Sequence, residues 1–168
     1  MELENAIKTA ISYEIKIRDL YLKSVETCQD DTGCKVLQIM AGEEQDHIDY
    51  LALMLEEWKE SGKITPKKLK SAIPSKTKIA KSVAKLKKKS AAEQLSSDLD
   101  LLKLALEIEK ETSDFYRQMV NSLNAAGQEL FEPFVEIEDG HVAIVQAEID
   151  NLSGLGFWFD FQEFDLEG

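Results

Sequence analysis

The sequence is poor in cysteine, in proline and in long apolar runs, and each shortage excludes a class of protein. Its 168 residues include two cysteines and three prolines. Two cysteines cannot form a disulfide framework, and Cys28 and Cys34 lack the CxxC spacing of redox and zinc motifs, so we expect free thiols in a reducing cytoplasm. The N-terminal residues lack the apolar stretch of a secretory signal, and no apolar run approaches the roughly 18 residues that span a membrane. We therefore expect a cytoplasmic protein without membrane contact.

Positive charge is also scarce, and it is concentrated in one segment. The net charge of −12 argues against a nucleic-acid partner, because phosphate backbones attract basic surfaces. Eleven of the 20 basic residues lie within residues 61–97, where Glu93 is the only acid. This segment is interpreted as a solvated basic connector lying against an acidic body. The alternative is a docking patch for an acidic partner or an anionic surface.

Apolar residues recur every three or four positions in four segments, about 3–27, 35–60, 98–124 and 128–152, which is typical of amphipathic helices. This predicts an all-α four-helix bundle of two antiparallel hairpins, joined by a long crossover of about residues 61–97. We place the bundle at residues 1–153 and an aromatic tail at 154–168, which we expect to pack on the bundle or on a partner subunit. The predicted stripes are Leu3, Ile7, Ala10, Ile17 and Tyr21; Leu37, Met40, Leu51, Met54 and Trp58; Leu102, Ala105, Tyr116, Met119 and Leu123; and Phe131, Phe134, Val145 and Leu152.

The chain has only two histidines, and each follows a glutamate by three residues. The pairs are Glu44 with His47 and Glu138 with His141, and this spacing places both members on one helix face. All four residues fill gaps in the apolar stripes of the second and fourth helices. The corresponding gaps in the first and third helices are filled by glutamates, so each predicted helix directs acidic residues toward the core.

Buried carboxylates are unfavourable unless they are paired or coordinate a metal, and no lysine or arginine occupies a stripe position. Two divalent cations would neutralise four carboxylates, and two neutral imidazoles would complete the ligand set. The alternative is a buried hydrogen-bond network of Glu and His without metal. Iron, manganese and zinc all accept such ligands. The pattern therefore predicts a dinuclear metal site formed by Glu14, Glu44, His47, Glu109, Glu138 and His141.

The two halves of the sequence repeat each other. Glu14 and Tyr21 recur as Glu109 and Tyr116, offset by 95 residues, and the two histidines are 94 residues apart. Each tyrosine lies two helical turns beyond a predicted ligand. It either packs in the core or donates a hydrogen bond to a ligand carboxylate.

Other acids near the predicted ligands lie off the stripes. We expect them on the surface, although Glu148 could approach the edge of the core because it lies seven residues after His141. These acids are Glu43, Asp46, Glu107, Glu111, Glu136, Asp139 and Glu148.

At these residues the chain resembles the rubrerythrin-like branch of the ferritin-like di-iron carboxylate proteins, in which two helices each supply a Glu and two others each supply Glu-x-x-His. The resemblance covers essentially the whole chain and implies a ferritin-like bundle whose two iron ions react with hydrogen peroxide or dioxygen. It also implies that Glu44 and Glu138 bridge the irons, that Glu14 and Glu109 are terminal ligands, and that each iron has one histidine.

The chain departs from typical rubrerythrins in two respects. It has no pair of CxxC motifs for a rubredoxin domain, so electrons would come from an external donor such as a rubredoxin. The second glutamate of the rubrerythrin third helix is replaced by Thr112. We expect an oxidoreductase that reduces hydrogen peroxide or dioxygen in oxidative-stress defence. The alternatives are an iron-binding or ferroxidase protein for iron sequestration, and a structural protein with vestigial ligands. The aromatic tail and the hairpin symmetry also suggest a homodimer.

Overall fold

The computed structural model describes residues 2–84 and 96–162, and these contain helices but no strand. The all-α fold class predicted from the sequence is confirmed. The predicted crossover residues 85–95 and the end of the aromatic tail, including Phe164, lie outside the described residues. The helices are α1 (Leu3–Thr27), α2 (Asp31–Ser61), α3 (Lys76–Val83), α4 (Ser96–Ser122) and α5 (Ala125–Leu155).

The four long helices pack through the predicted apolar stripes. Helix α1 packs against α2, α4 against α5, and α1 also contacts α4, while the short α3 lies on α5. Every predicted stripe residue is buried except Trp58, which is half-buried. These residues form two separate apolar clusters, one around Ile17 and Val145 and the other around Ile7 and Phe131. The predicted ligands lie between these clusters along each long helix.

Helices α2 and α5 begin four and three residues earlier than the apolar period predicts, because each has an N-cap side chain. The carboxylate of Asp30 accepts a hydrogen bond from the Gly33 amide at 2.8 Å, and α2 begins at residue 31. The side-chain oxygen of Asn124 accepts from the Gly127 amide at 3.2 Å, and α5 begins at residue 125. Such caps satisfy amides that the first helical turn leaves without a partner.

Cys28 and Cys34 form a disulfide bond, so the expectation of free thiols is wrong. Only residues 28–30 separate the end of α1 from the start of α2. This tight turn places the two Cα atoms 5.6 Å apart, within the range that a disulfide requires.

The described part of the aromatic tail is buried at the end of the molecule. Trp158, Phe159 and Phe161 are at most 4% exposed and belong to the apolar cluster around Ile17. The Trp158 ring lies so close to α2 that a Cβ atom on Gly33 would come within 2.4 Å of it. A glycine in the first turn of α2 therefore makes room for the tail.

The described part of the crossover combines two buried isoleucines with exposed lysines. Ile73 and Ile79 are 8% and 3% exposed, whereas all seven of its described lysines are exposed. The chain passes close to α5 at Pro74, whose carbonyl oxygen would lie 3.3 Å from a Cβ atom on Gly140. The docking role considered for this segment stays a prediction. None of the helices in the described residues is both long and apolar enough to cross a membrane.

Candidate metal centre

The structure brings the six predicted ligands together in one buried cluster between the two apolar clusters. Each side chain is no more than 1% exposed. All four long helices contribute to this cluster, because the polar residues that fill the gaps in the predicted apolar stripes face the interior that the helices share. The cluster consists of Glu14 from α1, Glu44 and His47 from α2, Glu109 from α4, and Glu138 and His141 from α5.

Two of the glutamates lie between the two histidines. The Glu44 carboxylate is 3.2 Å from Nδ1 of His47 through Oε2 and 3.0 Å from Nδ1 of His141 through Oε1. Oε1 of Glu138 is 3.5 Å from Nδ1 of His47 and 3.8 Å from Nδ1 of His141. The two imidazole rings are nearly parallel, with centroids 5.4 Å apart. Both rings therefore direct Nδ1 toward the same carboxylates.

The other two glutamates each serve one histidine. Oε2 of Glu14 is 3.5 Å from Nδ1 of His47, the histidine of its own hairpin. Oε2 of Glu109 is 3.8 Å from Nδ1 of His141, again within one hairpin. Each hairpin thus supplies one half of the cluster, and we name the halves the His47 half and the His141 half.

Two buried tyrosines connect the halves. The Tyr21 hydroxyl of α1 donates to Oε1 of Glu109 on α4, and the Tyr116 hydroxyl of α4 donates to Oε1 of Glu14 on α1. Burial, and then the nearby carboxylates, raise the pKa of both hydroxyls well above the ordinary value, so both remain donors. Of the two roles considered from the sequence, the tyrosines make the hydrogen bond to a predicted ligand carboxylate.

The electrostatics of the cluster favour bound protons where no cation is present. Burial raises the pKa of Glu44 to about 7 and that of Glu138 well above its ordinary value. Burial alone would lower the pKa of His47, but the nearby carboxylates of Glu14 and Glu44 outweigh it and raise the pKa to about 9. Burial would also raise the pKa of Glu14, but its interaction with His47 outweighs this and lowers that pKa. The protons therefore lie on Glu44, Glu138 and the imidazoles, which is the expected response to excess buried negative charge.

The cluster fits divalent metal ions. Of its carboxylate oxygens and imidazole nitrogens, only the two oxygens bonded to tyrosine have a hydrogen-bond partner with suitable geometry among the described residues. Among the described residues, the four carboxylates form ion pairs only with the two histidines. Polar atoms buried without hydrogen bonds are unfavourable, and coordination of a cation removes the cost. Two groups with donor atoms within 4.8 Å of one another share Glu44, namely Glu14, Glu44, His47 and Glu138, and Glu44, Glu109 and His141.

Glu43 adjoins the cluster, and the prediction that it lies on the surface is wrong. Its side chain is 6% exposed. It accepts hydrogen bonds from the Ser71 hydroxyl and, at 2.8 Å, from the Ala72 amide of the crossover. Burial would raise its pKa, but interactions with His141, Ser71 and Ala72 outweigh this and lower the pKa to about 2. The helical period alone does not identify Glu43, because the crossover covers it. The only signal is the Glu43-Glu44 doublet.

Glu148 is also buried, contrary to the expectation of a surface position. It is 1% exposed, and its Oε2 accepts a hydrogen bond from the Phe159 amide at 2.8 Å. The aromatic tail covers it. Among the other acids, Asp139 is half-buried and pairs with Arg117, whereas the remainder are exposed as predicted: Asp46, Glu107, Glu111 and Glu136.

Thr112 occupies the position at which the rubrerythrin pattern has a second glutamate. It is fully buried, and its hydroxyl donates to the carbonyl oxygen of Ile108 at 2.9 Å. The hydroxyl is thus engaged with its own helix, and α4 contributes only Glu109 to the cluster.

Comparison with protein-family models, with curated proteins and with solved structures gives no match to this chain.

Proposed function

We propose that this protein is a non-haem di-iron oxidoreductase of the rubrerythrin type, with a ferritin-like four-helix bundle. It would reduce hydrogen peroxide or dioxygen in oxidative-stress defence, with electrons from an external donor such as a rubredoxin. The observation that supports this most is the convergence of four buried glutamates and two buried histidines at one point between two hairpins.

The geometry supports a definite role for each predicted ligand. Glu44 and Glu138 contact both histidines, so they would be the ligands that two bound ions share. Glu14 and Glu109 each contact one histidine, so we assign them as terminal ligands. The tyrosine hydroxyls hold one oxygen of each terminal carboxylate and leave the other oxygen for the metal. When bound, the two irons would supply the electrons for reduction of the oxidant.

The burial of the site supports a small oxidant. The six predicted ligands are at most 1% exposed. Aromatic rings shield them, and the ring centroid of Phe134 lies 5.2 Å from that of His47. Hydrogen peroxide and dioxygen are small enough to reach such a site without a large opening. A bulky substrate would require the helices to separate.

Thr112 favours a second candidate, an iron-binding or ferroxidase protein for iron sequestration. A glutamate at that position would offer a further carboxylate to one iron during redox change. Thr112 instead donates its hydroxyl to the helix backbone. In this second function iron is the substrate, and turnover with peroxide is not required.

The test is an anaerobic titration with Fe(II), followed by rapid mixing with hydrogen peroxide or with dioxygen. We expect two irons per chain and faster oxidation by peroxide than by dioxygen. The near-ultraviolet absorption of the oxidised iron monitors the reaction. Faster oxidation by dioxygen would favour the ferroxidase function. Failure to bind iron would contradict both. The variant Asp46→Asn is a suitable control, because it removes one exposed acid from α2 without touching the cluster.

A further inference from the structure

The two histidines of the candidate metal centre differ in what faces their outer ring nitrogen. Both direct Nδ1 toward the shared carboxylates. On the outer side, Nε2 of His141 faces Oε2 of Glu43 at 3.7 Å, which is ion-pair distance. The ion pairs of His47 among the described residues all use Nδ1. Neither Nε2 makes a hydrogen bond of suitable geometry among these residues, so the difference lies in the carboxylate that faces His141.

This difference is encoded in the repeat. Residues of α2 and α5 correspond at an offset of 94, so Glu44 matches Glu138 and the residue before it, Glu43, matches Ile137. An isoleucine offers nothing to the outer nitrogen of His47. The His47 half and the His141 half therefore have the same types of predicted ligand but different surroundings.

Glu43 is held in place from its other side. The Ser71 hydroxyl and the Ala72 amide of the crossover both donate to its carboxylate. The carboxylate is thus fixed between the crossover and His141. Histidine ligands usually donate their second ring N–H to such a carboxylate, which fixes the tautomer and the orientation of the ring, and loss of that partner typically lowers metal affinity about 10–100-fold.

We propose that Glu43 is a positioning residue that fixes His141 with Nδ1 toward the metal, so that the His141 half binds its ion more tightly than the His47 half. This inference rests on the metal centre proposed above. It predicts that the two metal ions bind in distinct steps.

The test is a titration of metal-free protein with Co(II), in which visible absorption and calorimetry measure the binding of each ion. We expect two ions per chain in wild type, bound with different affinities. Glu43→Gln should weaken one step about 10–100-fold and leave the other unchanged. The weakened step should be the one that Glu109→Gln also weakens, and not the one that Glu14→Gln weakens.

Two controls separate this role from a structural one. Ser71→Ala removes a crossover bond to Glu43 but leaves the contact with His141, so both affinities should stay within about twofold of wild type. Asp46→Asn removes an exposed charge from the same helix and should change neither step.

The proposal is overturned if Glu43→Gln leaves both steps unchanged, weakens both equally, or has the same effect as Ser71→Ala. Because donor atoms of Glu43, His47 and His141 lie within 4.8 Å of one another, Glu43 could instead ligate a third ion. A fall from three ions to two in Glu43→Gln would establish that and overturn the positioning role. Wild type that binds no ion would contradict the proposed function itself, whereas two ions with no effect of Glu43→Gln would contradict only this inference.

Discussion

The two hairpins of this protein match each other even in the residues that cap their second helices. Asp30 and Asn124 cap the second helix of each hairpin through a glycine amide three residues later. Gly62 and Gly156 end those helices in the left-handed conformation, with φ of 65° and 76°. Both pairs are 94 residues apart, as are the two histidines. The repeat therefore includes the signals that start and stop the helices as well as the ligands.

The hairpins differ where an acid is buried in one and an apolar residue stands in the other. Glu43 corresponds to Ile137, and Glu148 corresponds to Met54. Glu43 accepts hydrogen bonds from the crossover that follows α2, and Glu148 accepts one from the tail that follows α5. The matching positions form the buried cluster of candidate ligands, whereas the acids at these two differing positions bind segments that the hairpins do not share.

The largest effect should come from a residue common to both halves. Glu44 contacts both histidines, whereas Glu14 contacts only His47. We expect Glu44→Gln to weaken binding of both ions by more than about 100-fold, since even the loss of an outer partner costs 10–100-fold. Glu14→Gln should weaken only one. Calorimetric titration of metal-free protein with Co(II) measures both.

The same variants test whether metal stabilises the junction of the hairpins. A ligand at about 1,000 times its Kd adds about 4 kcal/mol to the free energy of unfolding, so wild type should melt at a higher temperature with Co(II). Glu44→Gln should lose this rise. Equal metal affinities for Glu44→Gln and Glu14→Gln would contradict the division into shared and separate ligands.

The sequence was sufficient to predict the long helices and the convergence of the six polar residues, because a gap in an apolar stripe must still face the core. It did not reveal the burial of Glu43 and Glu148, because the residues that cover them come from the crossover and the tail, which have no helical period to extrapolate. The disulfide was missed for a similar reason. The distance between Cys28 and Cys34 depends on the turn between α1 and α2, and the cap at Asp30 makes that turn shorter than the apolar pattern predicts.

The crossed tyrosines test whether the two hairpins are equivalent in stability. Tyr21→Phe and Tyr116→Phe each remove a buried hydrogen bond to a carboxylate of the other hairpin. Such bonds to charged groups contribute about 1.5–3 kcal/mol. We expect both variants to lose free energy of unfolding by similar amounts in urea denaturation of metal-free protein.

Tyr13→Phe is the matched control for these variants. Its half-buried ring packs against Phe115 with centroids 5.2 Å apart, and its hydroxyl is outside the cluster. It should change stability by less than about 0.5 kcal/mol, as surface substitutions do. If only one of Tyr21→Phe and Tyr116→Phe lowers the free energy of unfolding, the two tyrosine–glutamate hydrogen bonds are not equivalent.

The smallest effect concerns Glu148, the buried acid of the second hairpin that corresponds to Met54. Burial raises the pKa of Glu148 well above its ordinary value, so the folded state binds this proton more tightly than the unfolded state does. The contribution is therefore present below the ordinary glutamate pKa and is lost as pH rises toward the raised pKa. Between pH 5 and 6 this group should lower the free energy of unfolding by up to about 1.4 kcal/mol. Glu148→Gln keeps an oxygen for the Phe159 amide and cannot titrate. In urea denaturation of the metal-free variant, the free energy of unfolding should therefore depend less steeply on pH.

The control is Glu136→Gln, which replaces an exposed acid on the same helix and should keep the wild-type slope. If Glu148→Gln has the wild-type slope as well, the tail does not hold Glu148 away from water in solution, and this difference between the hairpins has no energetic consequence.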